Sequence, residues 1–482
     1  MTYSQAVEFL DGLVNYEKLA GPRNEFKLDN IRRLLELAGD PERRVRNVIL
    51  VAGTKGKGSV SYMLEAALRG CRLSTGMFVS PHVLDVRERI QLDGKPIRKR
   101  LFADLVARLA PFVLTSVPAN RQSPIANRQS AVPVSYFEMT TAMAFLLFAE
   151  KQPDYSVIEV GLGGRLDATN LSDPVISVIT RIGYDHLKVL GDTLTKIAGE
   201  KAGIMRNGRP VVIGEQEPEA RRELEARAKA IGAELVPADS VVEIPSADPR
   251  RWGMSLSPVA IFGAELIDLP LLGYHQVENC KTALAVLNEL SMYDRRIKFK
   301  RVARGMSTVS IPARCQVVRR IPLTIVDSCH NPESGRALAN VLRDHLPLFR
   351  TANRQSPFAI RHSPKVILVY GSLSGKLVAE TVAPLAPYVK QAVLVQPDNP
   401  RAMPLAELGS IFAGLRTPYV TADNVPAALV EAKRLARAQA QRLQTGTCRL
   451  PTSLPIVVAG SFYLAGEALK VLGPSRAKRR FW

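Results

Sequence analysis

Apolar residues recur at helical spacing over residues 4–19 and again over 27–38, which predicts two amphipathic helices. Asp29 is a candidate cap near the start of the second. The period then changes. "NVILVAG" (47–53) is a β-branched run closed by glycine, as expected of a buried parallel strand. "SVSYMLEAALRGC" (59–71) returns to helical spacing, with Gly70 marking its end. Strand-like runs follow at "LSTGMFVS" (73–80), "YSVIEVG" (155–161), "PVISVIT" (174–180) and "RPVVIG" (209–214). Helical stretches such as "FEMTTAMAFLLFAEK" (137–151) and "TLTKIAGEKAGIM" (193–205) separate several of them. Alternation of this kind predicts an α/β domain with a mainly parallel sheet. The stretch 235–272 reads instead as antiparallel hairpins attached to that domain.

The alternation restarts late in the chain. "PLTIVDSCHNPESGRALANVL" (322–342), "KVILVYGSL" (365–373), "QAVLVQP" (391–397) and "LPIVVAGSFYLAGEALKVL" (454–472) again run from strand to helix. A second, smaller Rossmann-like α/β domain is therefore expected over 313–482, after a first over 1–312. At 482 residues the chain has room for both, at roughly 150 residues per domain. "ANRQS" occurs at 119–123, 126–130 and 352–356, and "AIRHSP" at 359–364 resembles a decayed copy. These polar, aperiodic segments read as surface-loop insertions, about 116–133 and 350–364.

The apolar fraction, 46%, is that of an ordinary globular protein with a sizeable core. Lys and Arg number 65 against 45 Asp and Glu, a net charge of +20, which favours anionic ligands in general. The basic residues are scattered, apart from the tail "PSRAKRRFW" (474–482), and form no recognisable nucleic-acid module. No nucleic-acid partner is expected. The five cysteines show no CxxC spacing, and the odd count argues against a disulfide framework. The N-terminal stretch carries acids within its apolar pattern and does not read as a signal peptide. No run approaches the roughly 18 apolar residues of a membrane span. A cytoplasmic protein without a membrane partner is the expectation.

Chemistry concentrates where predicted strands end. Gly53, Thr54, Lys55, Gly56, Lys57, Gly58 and Ser59 join the first strand to its helix. This looks like a phosphate loop, but Gly58 separates Lys57 from Ser59, where the common pattern has lysine beside the hydroxyl. Its glycines would let backbone N–H groups close around phosphate oxygens. Lys57 would neutralise the β- and γ-phosphates, and Ser59 could ligate Mg²⁺. Glu159 ends another strand and is a plausible Mg²⁺ ligand, or a carboxylate that is merely solvated. Asp185 and His186 follow a third strand. Lys201, between Glu200 and Ala202, reads from spacing alone as a surface ion-paired lysine.

"GTKGKGS", "SPH" (80–82), "YFEMTT" (136–141), "EVGLGGRLDATN" (159–170), "DH" (185–186), "LGDTLTKIAGEKAGI" (190–204) and "DSCHNP" (327–332) occur in the order found in folylpolyglutamate and dihydrofolate synthases. The chain thus resembles the Mur ligase superfamily over nearly its whole length, apart from the repeat insertions. The resemblance implies a P-loop Mur-ligase-type ATP-binding domain followed by a glutamate-ligase domain. It accounts for Gly58, which belongs to the Mur-ligase form of the loop. It implies that Ser80 and Glu159, beside Ser59, hold one Mg²⁺, that His186 holds a second, and that Lys201 is carbamylated near them. Lys57, Lys201 and His186 are then the catalytic positions. Asn279, Arg314 and Asp327 match nucleotide-binding positions, and His330 lies where the amino acid is expected. Tyr136, Phe137, Leu166, Asp167 and Ala168 match segments that line the pteridine pocket.

Two departures from the family pattern stand out near the second domain: Ala313 replaces the glycine of "PGR", and Ser328 and Cys329 replace smaller residues. At the loop, Lys55 stands where Asn is usual. Cys329 is not expected to act as a nucleophile, because no base pairs with it. The implied reaction is ATP-dependent addition of L-glutamate to dihydropteroate, to reduced folates, or to both, by a monomer. The alternatives are a superfamily ligase with another carboxylate acceptor, or a P-loop nucleotide hydrolase. A peptidoglycan-type ligase fits poorly, since only 52 residues precede Gly53.

Overall fold

The computed structural model describes residues 1–16, 27–114, 131–260, 262–350, 365–442 and 453–473. The ANRQS copies, the related 359–364 segment and the basic C-terminal tail lie outside the described residues. The chain divides into two compact units. One comprises Met1–Ser246, Ser257–Ile267 and Glu278–Val309; the other comprises Ala247–Leu256, Asp268–Val277 and Ser310–Trp482.

The first unit is built on an eight-stranded sheet. Its strands are β1 (Val48–Ala52), β2 (Thr75–Phe78), β3 (Ile90–Leu92), β4 (Lys95–Pro96), β5 (Tyr155–Glu159), β6 (Pro174–Ile179), β7 (Pro210–Ile213) and β8 (Glu234–Pro237). The order is β4-β3-β2-β5-β1-β6-β7-β8. β3 runs antiparallel to β2 and to β4, and the remaining pairs are parallel. In the centre, Val51 pairs with Glu159 and Ala52 with Ile179. The carboxyl ends of β5, β1 and β6 therefore lie side by side, and the loops that leave them open at one edge, where α/β folds take their ligands.

Helix Tyr136–Lys151 is apolar on all sides and buried along nearly its whole length, as a helix enclosed by a core should be. Helix Lys57–Gly70 crosses helix Phe299–Met306 at two glycines. A Cβ on Gly70 would stand 2.6 Å from the Arg301 carbonyl oxygen, and one on Gly305 would stand 2.3 Å from that of Ala66. The two backbones touch directly.

Several sequence expectations need correction. The first helix is Tyr3–Asp11, not 4–19; Gly12 closes it through its N–H to the Glu8 carbonyl. Asp29 is the first residue of helix Asp29–Leu37, not its cap, and the capping position falls to Leu28, which forms no side-chain cap bond. The stretch read as hairpins contributes β8 to the large sheet, parallel to β7. Only β9 (Val242–Arg250), β10 (Gly253–Ala260) and β11 (Ile267–Leu269) form a separate sheet, in the order β11-β10-β9.

The second unit holds a six-stranded sheet of β12 (Gln316–Arg320), β13 (Leu323–Val326), β14 (Val366–Tyr370), β15 (Val389–Leu394), β16 (Tyr419–Thr421) and β17 (Ile456–Ala459). The order is β12-β13-β17-β14-β15-β16, parallel except for the β12–β13 pair. Residues 327–330 and 460–462 leave the carboxyl ends of neighbouring strands β13 and β17. Among the described residues no helix is long and apolar enough to cross a membrane.

Candidate active site

The loop after β1 is fixed by its own backbone. Thr54 and Lys55 each donate an N–H to the Arg181 carbonyl at 3.0 Å, and the Thr54 hydroxyl donates to the Gly183 carbonyl at 3.1 Å. Gly53 and Gly56 take φ of +143° and +90°, which favour glycine. Space demands glycine as well: a Cβ on Gly53 would lie 1.9 Å from Thr180 Oγ1, and one on Gly56 would lie 2.2 Å from Asn279 Oδ1. Asn279 therefore sits against the loop. Gly58 lies in the first turn of the helix, where a Cβ would meet the Glu159 carboxylate at 3.7 Å. Ser59 is buried beside it.

Two lysine side chains share one acceptor beneath this loop. Lys57 Nζ donates to the Gly53 carbonyl at 3.1 Å, and Lys201 Nζ donates to the same oxygen at 3.0 Å. Burial pushes both lysines down from the usual range, Lys201 to about 7, and Lys57 adds to the shift on Lys201. Lys201 is only 3% exposed, so the surface reading from spacing fails. Its neighbour Glu200 pairs outward with Arg165 instead, at 2.9 Å.

The carboxylates stand around the same point. Glu159 is 4% exposed, and its Oε2 accepts the Ser80 N–H at 3.0 Å. Asp185 Oδ2 accepts from Lys55 Nζ at 3.2 Å, and its Oδ1 accepts the His186 N–H at 3.0 Å. His186 adopts φ of +52° and heads the short turn Leu187–Leu190. Gly53, Thr54, Lys57, Gly161–Gly163, Asp185, His186, Leu190 and Lys201 line an open pocket of about 310 Å³. Among the described residues no cluster of three or more His, Cys, Asp or Glu is gathered for a metal. Serine hydroxyls with a carboxylate suit Mg²⁺, which keeps only one or two protein carboxylates and takes phosphate oxygens besides.

A second wall adjoins the pocket in the same unit. Ser135 caps helix Tyr136–Lys151 in a reciprocal box with Glu138, at 3.2 Å and 2.7 Å, which fixes where Tyr136 and Phe137 begin. Phe137 packs on Phe78 at 5.8 Å and fills the space a Gly161 side chain would take. Tyr136 lies under the Arg89 guanidinium at 5.2 Å. Arg89 is 1% exposed, and its Nε donates to His82 Nδ1 at 3.0 Å. Sequence reasoning did not single out Arg89, since arginine is rarely buried. Asp167 is committed internally, to the Leu162 and Thr169 N–H groups and the Thr169 hydroxyl, at 2.6–3.0 Å. It shapes the loop that carries Leu166 and Ala168, and burial raises its carboxyl above the usual range.

Arg314, Asp327 and His330 belong to the second unit. Asp327 accepts the N–H groups of Cys315 and Cys329, both at 2.7 Å. Arg314 donates to the Ser328 hydroxyl at 2.8 Å and lies over the Phe462 ring at 5.1 Å. The His330 ring packs against the same Phe462 at 5.6 Å. Phe462 thus gathers two expected site residues, which only the β13–β17 adjacency reveals. Cys329 is buried, consistent with a structural thiol.

Comparison with known proteins places this geometry in context. Residues 121–287 match the Mur ligase middle domain. The chain is 33% identical over 459 residues to the dihydrofolate synthase/folylpolyglutamate synthase of Mycobacterium tuberculosis, covering 92% of this chain and 90% of that one. It is 30% identical over 471 residues to a probable bifunctional folylpolyglutamate synthase/dihydropteroate synthase of Haloferax volcanii, covering 97% of this chain but only 50% of that longer one. The fold superposes on Mycobacterium tuberculosis folylpolyglutamate synthase complexed with ADP with a TM-score of 0.81, at 30% identity and 98% coverage of both chains.

Proposed function

Because the chain belongs to the dihydrofolate synthase/folylpolyglutamate synthase family of the Mur ligases, we propose that it joins L-glutamate to dihydropteroate, to the tail of a reduced folate, or to both, at the expense of ATP. The observation that carries this reading is a glycine loop that abuts Glu159 and has two buried lysine side chains, Lys57 and Lys201, meeting on its Gly53 carbonyl. Backbone N–H groups and the Lys57 side chain in a partly dry pocket attract a polyphosphate and stabilise charge moving off it, while Lys201 stands ready for modification beside them.

In the reaction, an oxygen of the substrate carboxylate attacks the γ-phosphorus, and the bond to the bridging oxygen of ADP breaks. The amine of L-glutamate then attacks the acyl phosphate, loses a proton and expels phosphate, leaving an amide. The loop N–H groups orient the phosphates, and Lys57 offsets their charge. Tyr136, Phe137 and the 166–168 segment supply a wall for a flat pterin. Asn279 and, from the second unit, Arg314 and Asp327 serve the nucleotide, while His330 serves glutamate. Ser59, Ser80 and Glu159 would hold one Mg²⁺, and His186 with a carbamylated Lys201 a second; bound Mg²⁺ supplies neutralisation of the phosphates. The lowered Lys201 supports carbamylation, because its neutral amine can attack CO₂ and lose a proton. We assign ATP binding to residues 1–312 and glutamate ligation to 313–482, in a cytoplasmic monomer that uses neither nucleic acid nor membrane. The buried free thiols among the described residues fit a reducing compartment.

The test is ADP release with Mg·ATP and L-glutamate, with dihydropteroate or tetrahydrofolate as acceptor. Turnover with both acceptors establishes two activities, and turnover with one names a single activity. Binding of ATP without turnover on either acceptor would overturn the folate reading in favour of another carboxylate.

A further inference from the structure

The lysines of the phosphate loop and its surroundings are of two kinds. Lys57 and Lys201 turn inward to the Gly53 carbonyl. Lys55 turns the other way, to Asp185 Oδ2 at 3.2 Å, with side chains 27% and 37% exposed. Asp185, Lys57 and Lys201 all line the pocket, so the Lys55 ammonium hangs at its rim on a carboxylate that faces inward. We propose that Lys55 is the residue that reads the terminal phosphate: it rests on Asp185 until a nucleoside triphosphate competes for it, then passes to the γ-phosphoryl group. The proposal rests on the nucleotide site assigned above.

The backbone of Lys55 is fixed, because its N–H is held by Arg181 and the following Gly56 is wedged against Asn279. Only the side-chain torsions remain to carry the ammonium. Its present partner is weak: one carboxylate, solvent-screened and already sharing its other oxygen with the His186 N–H. A terminal phosphoryl group carries more charge on more oxygens and is the stronger acceptor. A diphosphate ends at its β-phosphate and places no phosphoryl group at the γ position, so it leaves Lys55 on Asp185. The exchange therefore favours ATP over ADP. It leaves Asp185 Oδ1 on the His186 N–H, so the turn keeps its anchor.

Isothermal titration with β,γ-methylene-ATP and with ADP, each with Mg²⁺ and with chelator, tests this on the full chain. Lys55→Met is expected to weaken triphosphate binding about tenfold, with ADP binding changed less than about twofold. Lys55→Arg keeps the preference. Asp185→Asn removes the competitor and tightens triphosphate binding a few-fold. That opposite sign is the discriminating readout, since a pair that merely braced the loop would weaken binding when either partner is lost. It also decides the matter should Lys55→Met fold poorly, as judged by circular dichroism. Equal losses for both nucleotides in Lys55→Met, no loss, or weaker triphosphate binding in Asp185→Asn would overturn the proposal alone. A wild-type chain that binds neither nucleotide would overturn the nucleotide site with it.

Discussion

Ala313 holds φ at +52° although it carries a Cβ. Its backbone is engaged on both sides, its N–H donating to Gln316 Oε1 at 3.1 Å and its carbonyl accepting the Ser328 N–H at 2.9 Å. The left-handed conformation costs an L-residue roughly 1–2 kcal/mol, part of which glycine returns as extra entropy in the unfolded chain. Ala313→Gly is therefore expected to raise stability by up to about 1 kcal/mol, read from the denaturant midpoint. Gly56→Ala should act in the opposite sense and on function. With a Cβ 2.2 Å from Asn279 Oδ1 the loop must shift, and a displacement near 1 Å costs about 100-fold in kcat/KM. Gly56, and the departure at Ala313, were legible from the motifs. The burial of Lys201 was not, because nothing local distinguishes it from an exposed lysine beside a glutamate; only the packing of its helix under Gly53 does.

Alternation revealed most of the strands, and its clearest cases, β1, β5, β6, β14 and β17, are rich in β-branched residues and largely buried on both faces. Of those it missed, β4, β12 and β16 are short or polar edge strands, where charge and brevity block further pairing and erase the signal, and β3, paired on both sides, is only three residues long. Among helices, the Ser135–Glu138 box sets the start of Tyr136–Lys151. Ser135→Ala should cost about 1 kcal/mol of stability and raise KM for the pterin acceptor more than for ATP. Helix Pro332–Arg350 holds a different device. Fully buried His345 meets the Arg250 carbonyl through Nδ1 at 3.0 Å and receives the Gly273 N–H at Nε2, 3.2 Å. With Nε2 accepting, the ring is neutral, and burial lowers its pKa. The unfolded chain takes up a proton near pH 6.5 that the folded one refuses. Stability is thus full above about pH 6.5 and declines as the pH falls below it. His345→Gln should flatten that decline and cost about 1–3 kcal/mol at neutral pH, measured by urea titration across pH.

For the whole molecule, strand patterns show how many sheets to expect but not which core each strand joins. The chain enters the second unit at Ala247–Leu256 and Asp268–Val277 and returns before settling there from Ser310, a path no local periodicity records. The charge of +20 makes polyanion binding general, so specificity must come from the loop. Triphosphate analogue at about 100 times Kd should stabilise the protein by about 2.7 kcal/mol. Hydrogen exchange should report that protection first in 48–59 and 180–190, and raised salt without ligand should not reproduce it.

The backbone contact between Gly70 and Gly305 has a mechanical meaning. Helix Lys57–Gly70 is clamped at the end remote from the 53–59 loop, about 20 Å away at 1.5 Å per residue. A rod seized at its tail cannot slide along its own length. Whatever displacement turnover asks of the loop must be met by tilting about that fulcrum, so a side chain introduced at Gly305 would misaim the loop while touching no substrate.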